Sequence, residues 1–127
     1  MAITVLLIED DATCISYFAE VLHNAGYQVK VVKSPQHSEI ASLPDADLLI
    51  TDIVMPHASG FDILLEMERK GIKIPTIAIS ADRGMVSMIT KIRRGQLADI
   101  GLCKPVSKAD LLAAVDSSLA PKLNDED

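Results

Sequence analysis

The sequence predicts a doubly wound α/β domain, a parallel sheet with helices on both faces. Three observations point there. Short apolar runs and stretches of helical apolar spacing alternate five times along the 127 residues. Most of the runs are continuously apolar, the pattern of strands covered on both sides. The connections between them are short and marked by Gly and Pro.

Ile3-Thr4-Val5-Leu6-Leu7-Ile8 is apolar and partly β-branched and reads as a buried strand. It gives out at Glu9-Asp10-Asp11, with Asp11 placed to cap the next helix. Ile15, Phe18, Ala19, Leu22 and Ala25 recur at helical spacing until Gly26 stops the helix. The stretch from Tyr27 to Val32 alternates as a strand, and Ser34-Pro35 opens a short helix expected to reach about Leu43. Leu48-Leu49-Ile50 starts the central strand, where Asp52 appears as the apolar run ends. Pro56 and Gly60 punctuate the loop that follows. Phe61, Ile63, Leu64, Leu65 and Met67 then mark a helix from about Gly60 to Lys70, ended by Gly71. Ile74-Pro75-Thr76-Ile77-Ala78-Ile79 forms a fourth strand before Ser80-Ala81-Asp82, and a helix is expected from Met85 to Arg94, closed by Gly95. Ile100-Gly101-Leu102-Cys103 is a short fifth strand ending at Lys104-Pro105. Ser107 caps a last helix carrying Ala109, Leu111, Leu112, Val115 and Leu119, which Pro121 is expected to stop. The expected division is one domain over residues 1–121 and an acidic tail over 122–127.

Composition narrows the function classes. Apolar residues make up 49% and aromatics only 3%, so a folded chain must carry an aliphatic core. The net charge of -6 argues against a general binder of nucleic acid or anionic membranes. It suits a protein that meets cations or basic patches on a partner. Cys14 and Cys103 form no metal-ligand cluster and read as reduced thiols. No apolar run approaches the length of a membrane span, and Met1-Ala2-Ile3-Thr4 lacks a basic region and cleavage pattern. A cytoplasmic location is the resulting expectation.

In doubly wound sheets, ligands bind beyond the carboxyl ends of the strands. Glu9 and Asp10 stand at the end of the first strand, Asp52 of the third, Ser80 of the fourth and Lys104 of the fifth. Converging carboxylates repel, so at least one pKa must rise unless a cation shares the site. An all-oxygen donor set suits Mg²⁺ better than zinc. Lys104 adds a compact positive charge and Ser80 a hydroxyl. Together they describe a pocket for a phosphate-sized dianion, with Asp52 as the carboxylate able to take up phosphorus.

Glu9-Asp10, Asp52 within Asp-Ile-Val-Met-Pro-His-Ala-Ser-Gly-Phe, Ser80-Ala81 and Lys104-Pro105 occur in this order at successive strand ends. Each motif is weak alone. Together they make the chain resemble the receiver domain of two-component response regulators over nearly its whole length. The resemblance implies a flavodoxin-like fold of five parallel strands in the order 2-1-3-4-5 and five helices. It implies that Asp52 accepts a phosphoryl group from a histidine kinase or phosphotransfer protein. Asp10 and Asp52 would ligate Mg²⁺, with Glu9 acting largely through water and Val54 through its carbonyl. Ser80 would donate to one phosphoryl oxygen, Lys104 would pair with another, and the Lys104-Pro105 peptide would be cis. Such a module is not an enzyme. Its output would be binding to a downstream protein or onward relay of the phosphoryl group, without nucleic-acid or membrane contact. No effector domain is expected after Pro121.

The chain departs from the family pattern at one position. Receivers usually carry an aromatic three residues before the lysine, and here that residue is Gly101. This keeps a rival reading open, a receiver-shaped interaction module independent of phosphorylation. Val54 stands where an aspartate-nucleophile phosphatase would need a second acid. It cannot orient an attacking water, so slow hydrolysis of an Asp52 adduct is expected; Asp82 either orients water or repels the phosphoryl charge. Cys14, Tyr17 and Val21 lie at helical spacing apart from the core stripe. They are either a dock for a histidine-bearing helical bundle or ordinary mildly apolar surface. His23, His37 and His57 fall on separate segments and read as solvated.

Overall fold

The computed structural model describes residues 2–33, 45–53, 60–91 and 98–125. Five strands, β1 (Thr4–Ile8), β2 (Gln28–Val32), β3 (Leu48–Asp52), β4 (Thr76–Ser80) and β5 (Ile100–Cys103), form one parallel sheet in the order β2-β1-β3-β4-β5. The described residues hold four helices, α1 (Ala12–Asn24), α2 (Gly60–Arg69), α3 (Arg83–Lys91) and α4 (Lys108–Asp125). The fifth expected helix, from Ser34 to about Leu43, lies outside the described residues, as does Gly95.

Alternation along the strands builds two cores. Val5, Leu7, Leu48, Ile50, Ile77 and Ile79 pack with Phe18 and Leu22 of α1 and Leu111, Val115 and Leu119 of α4. On the other face Leu6, Ile8, Leu49 and Ala78 pack with Ile53 and with Ile63, Leu64 and Met67 of α2. β3 and β4 are buried at every position, in keeping with their apolar Leu48, Leu49, Ile50, Ile77, Ala78 and Ile79; the polar Thr51, Asp52, Thr76 and Ser80 are buried with them.

Local chemistry sets the element ends. Asp11 Oδ2 accepts from the Cys14 amide at 2.8 Å, and Ser107 Oγ from the Asp110 amide at 3.0 Å. Gly26 and Gly71 follow α1 and α2 with φ of 98° and 73°, the left-handed backbone that glycine adopts freely. α3 begins at Arg83 and not at Met85, because Asp82 Oδ1 accepts from the amides of Gly84 (2.8 Å) and Met85 (3.2 Å). Nor does the last helix stop at Pro121; it runs on to Asp125. A proline forfeits one amide donor, and α4 is already anchored to the sheet through Leu111, Val115 and Leu119. Asp47 Oδ2 accepts from the Thr4 amide (2.9 Å) and Asp99 Oδ2 from the Thr76 amide (2.8 Å). Each carboxylate thus satisfies the first amide of a neighbouring strand.

The register brings the carboxyl ends to one rim. Ile8 pairs with Thr51, Asp52 with Ile79 and Ser80 with Cys103. The Lys104 amide continues the ladder by donating to the Ser80 carbonyl at 2.9 Å. α2 starts hard against this rim: a Cβ on Gly60 would lie 2.1 Å from the Asp52 carbonyl oxygen and 2.8 Å from Ile53 Cα. Gly60→Ala should therefore cost about 3 kcal/mol from overpacking against backbone, whereas Asp99→Ala should cost about 1–2 kcal/mol for the lost strand-start bond. Urea denaturation of the two variants checks both values and their order.

Candidate functional site

Glu9 is the first residue past β1 and only 1% exposed. Such a carboxylate must be held from several sides. Its Oε2 accepts from the amides of Asp10 (3.1 Å) and Asp11 (3.3 Å), and its Oε1 accepts from Lys104 Nζ at 3.0 Å. Asp52 closes β3, and its Oδ2 accepts from the same Lys104 Nζ at 3.0 Å. Lys104 follows β5, so its side chain crosses the end of β4 to reach both partners. Asp10 is half-buried beside them, and carboxylate oxygens of Glu9, Asp10 and Asp52 all lie within 4.8 Å of one another.

One ammonium among three carboxylates leaves a negative excess. Burial pushes the Glu9 carboxyl up, and the neighbouring Asp52 adds to the rise; the Lys104 ammonium and the Asp11 amide pull the other way without cancelling it. For Lys104, burial works against the charge, but the hydrogen bonds and charges of Glu9 and Asp52 outweigh it and hold the ammonium above the usual lysine range. The rise thus comes first from burial, and the repulsion expected of converging carboxylates is the smaller contribution. The donors are hard oxygens with unbalanced negative charge, a set that fits a divalent cation such as Mg²⁺.

Ser80 ends β4 at 2% exposure, next to the rung that pairs Asp52 with Ile79. Its Oγ accepts from the Asp82 amide at 3.0 Å, so the hydroxyl also shapes the turn into α3. Asp82, read from sequence as a tuner of hydrolysis, has Oδ1 engaged in capping α3. Asp11 likewise serves as a cap, leaving Glu9-Asp10 as the acidic pair of the cluster. Val54 lies outside the described residues, as do His37 and His57. The Lys104-Pro105 peptide is cis. Gly101 is half-buried opposite Ala78. Val21 belongs to the core at 7% exposure and Cys14 packs against it, so only Tyr17, 39% exposed, remains of the apolar surface expected on α1. The backbone supports of Asp52 escaped sequence reasoning: Thr51 Oγ1 donates to the Asp52 carbonyl at 3.0 Å, and Gly60 closes on the same oxygen. The signal available was a lone hydroxyl inside an aliphatic run.

A doubly wound sheet with an acidic cluster and a lysine at its carboxyl rim is the arrangement that the family resemblance implies. The sequence model of the response regulator receiver domain matches residues 5–116, and the chain belongs to that family, whose members are signalling modules of two-component systems. It is 29% identical over 123 residues to the DNA-binding transcriptional regulator NtrC of Rhizobium meliloti (strain 1021), covering 92% of this chain and 24% of NtrC. It is 27% identical over 114 residues to the response regulator SaeR of Staphylococcus aureus (strain USA300), covering 90% of this chain and 49% of SaeR. The chain thus spans about a quarter to a half of the length of these curated relatives. Its fold is similar to that of a CheY-like response regulator receiver domain protein from Methanospirillum hungatei JF-1, with a TM-score of 0.80 at 18% identity over 98% of this chain and 99% of the other. Among the described residues no helix is long and apolar enough to cross a membrane.

Removing the shared cation tests the electrostatics. Lys104→Gln leaves the Glu9 and Asp52 charges facing each other and should lower stability by roughly 1–3 kcal/mol in chelator-treated buffer, less than the roughly 3–5 kcal/mol for breaking a fully buried ion pair because the Lys104 side chain is 22% exposed. Added Mg²⁺ should recover much of the loss. Thermal melts of both proteins with and without Mg²⁺ measure this.

Proposed function

We propose that the chain is a phosphoacceptor receiver. Asp52 takes a phosphoryl group from a histidine kinase or phosphotransfer protein with Mg²⁺, and the signal passes on by binding to a downstream protein. The observation that supports this reading best is the Asp52 carboxylate on the rim, in contact with Lys104 and within 4.8 Å of the Glu9 and Asp10 oxygens.

The chemistry follows from the groups present. An Asp52 carboxylate oxygen attacks the phosphorus of a phosphohistidine; the P–O bond forms as the P–N bond breaks, and the imidazole leaves with the bonding pair and is protonated from solvent. Such transfer is mostly positioning and charge neutralisation. Lys104, already on Asp52, shifts its ammonium toward a phosphoryl oxygen, and the Ser80 hydroxyl donates to another. Glu9, Asp10 and Asp52 would hold Mg²⁺, with the Val54 carbonyl as a further ligand. The bound cation supplies neutralising charge beside the phosphoryl oxygens. The net charge of -6 supports protein partners over nucleic acid for this chain itself, although NtrC is a DNA-binding regulator. A cytoplasmic setting belongs to the same reading.

Gly101 favours a second reading, a module whose binding ignores phosphate, since no aromatic side chain stands there to change position. One experiment separates the two. The protein is incubated with acetyl phosphate and Mg²⁺ and its intact mass recorded. The expected product carries one phosphoryl group, formed neither by Asp52→Asn nor in excess chelator. A wild-type protein that stays unmodified would instead support the phosphate-independent module.

A further inference from the structure

Thr51 is fully buried in β3, beside Ile8 of β1 and Ala78 of β4. By strand alternation it shares its face with Leu49, within the aliphatic core that α2 covers. A hydroxyl in such a layer is costly unless it is bonded, and valine would fill the same volume without that requirement. Here the hydroxyl is bonded: Thr51 Oγ1 donates to the Asp52 carbonyl oxygen at 3.0 Å. The same oxygen is approached by the first residue of α2, so closely that a Cβ on Gly60 would stand 2.1 Å from it. The Gly60 amide also donates to the Ile53 carbonyl at 2.7 Å. The peptide that leaves Asp52 is thus bonded by Thr51 at its carbonyl and by the Ile79 carbonyl at its Ile53 amide (2.9 Å), with the start of α2 packed against it. The orientation of that peptide sets the direction of the Asp52 Cα–Cβ bond, and with it the place of the carboxylate that meets Lys104.

We propose that Thr51 is a positioning residue for phosphoryl uptake: its hydroxyl fixes the Asp52 peptide so that the carboxylate is presented in line to the incoming phosphorus. This rests on the reading of Asp52 as phosphoacceptor. Transfer reactions of this kind are sensitive to small misplacement of the attacking atom. Thr51 itself touches no reacting atom.

The test compares wild type, Thr51→Val and Thr51→Ser. Rates of phosphorylation by acetyl phosphate with Mg²⁺ are measured by intact mass across donor concentrations up to saturation, alongside thermal melts. Thr51→Val should melt at or above the wild-type temperature yet phosphorylate about tenfold more slowly at saturating donor, with little change in half-saturating donor concentration. Thr51→Ser keeps the donor and should return the rate to within about twofold of wild type. If Thr51→Val does not fold, Thr51→Ala replaces it in the comparison with Thr51→Ser. A folded hydroxyl-free variant that phosphorylates at the wild-type rate overturns the proposal, as does a folded Thr51→Ser as slow as Thr51→Val. Failure of wild type itself to take up phosphate refutes the phosphoacceptor reading and this role together, and so differs from failure of the role alone.

Discussion

A single ammonium holds the rim of this protein together. Lys104 Nζ stands 3.0 Å from both Glu9 and Asp52, carboxylates at the ends of β1 and β3 that would otherwise repel each other. The arrangement is stable enough to keep the rim folded and unbalanced enough to accept more positive charge. That residual demand fits a divalent cation, and it would be absent if the acids were matched one for one with bases.

The rest of the fold exists, in effect, to deliver these side chains to one edge. Five parallel strands with matched register end at the same level, so residues far apart in sequence become neighbours at the carboxyl rim. An aliphatic core on each face keeps β3 and β4 dry, and caps such as Asp11 and Asp82 spend the nearby acids that do not join the cluster. Ser80 belongs to both systems, since it closes β4 and also receives the Asp82 amide. The start of α3 therefore sits one hydrogen bond from the rim even though Gly101 provides no aromatic side chain.

Much of this was legible in the sequence because the signals are local. Apolar runs located the strands, Asp11 and Ser107 announced caps, and acidic or basic residues stood where the runs ended. What escaped reading depends on three-dimensional approach. Nothing in a residue string says that α2 lies within contact of the Asp52 carbonyl, so Gly60 looked like simple punctuation and Thr51 like a polar strand residue. Asp82 also caps α3 through Oδ1, a bond that follows from the turn after β4 and not from its place near the site. Val21 looked like surface because helical spacing alone does not show how wide a stripe α1 buries. Pro121 looked like a stop because it forfeits an amide donor, yet α4 runs on to Asp125.

The charge-sharing account is tested most directly by a crystal structure grown with Mg²⁺ and beryllofluoride. It predicts a beryllofluoride group bonded to an Asp52 oxygen, a cation against the Glu9-Asp10 side, and the Lys104 ammonium moved from Glu9 onto a fluoride. An Asp52 carboxylate left bare, with Lys104 still bridging Glu9 and Asp52, would contradict it.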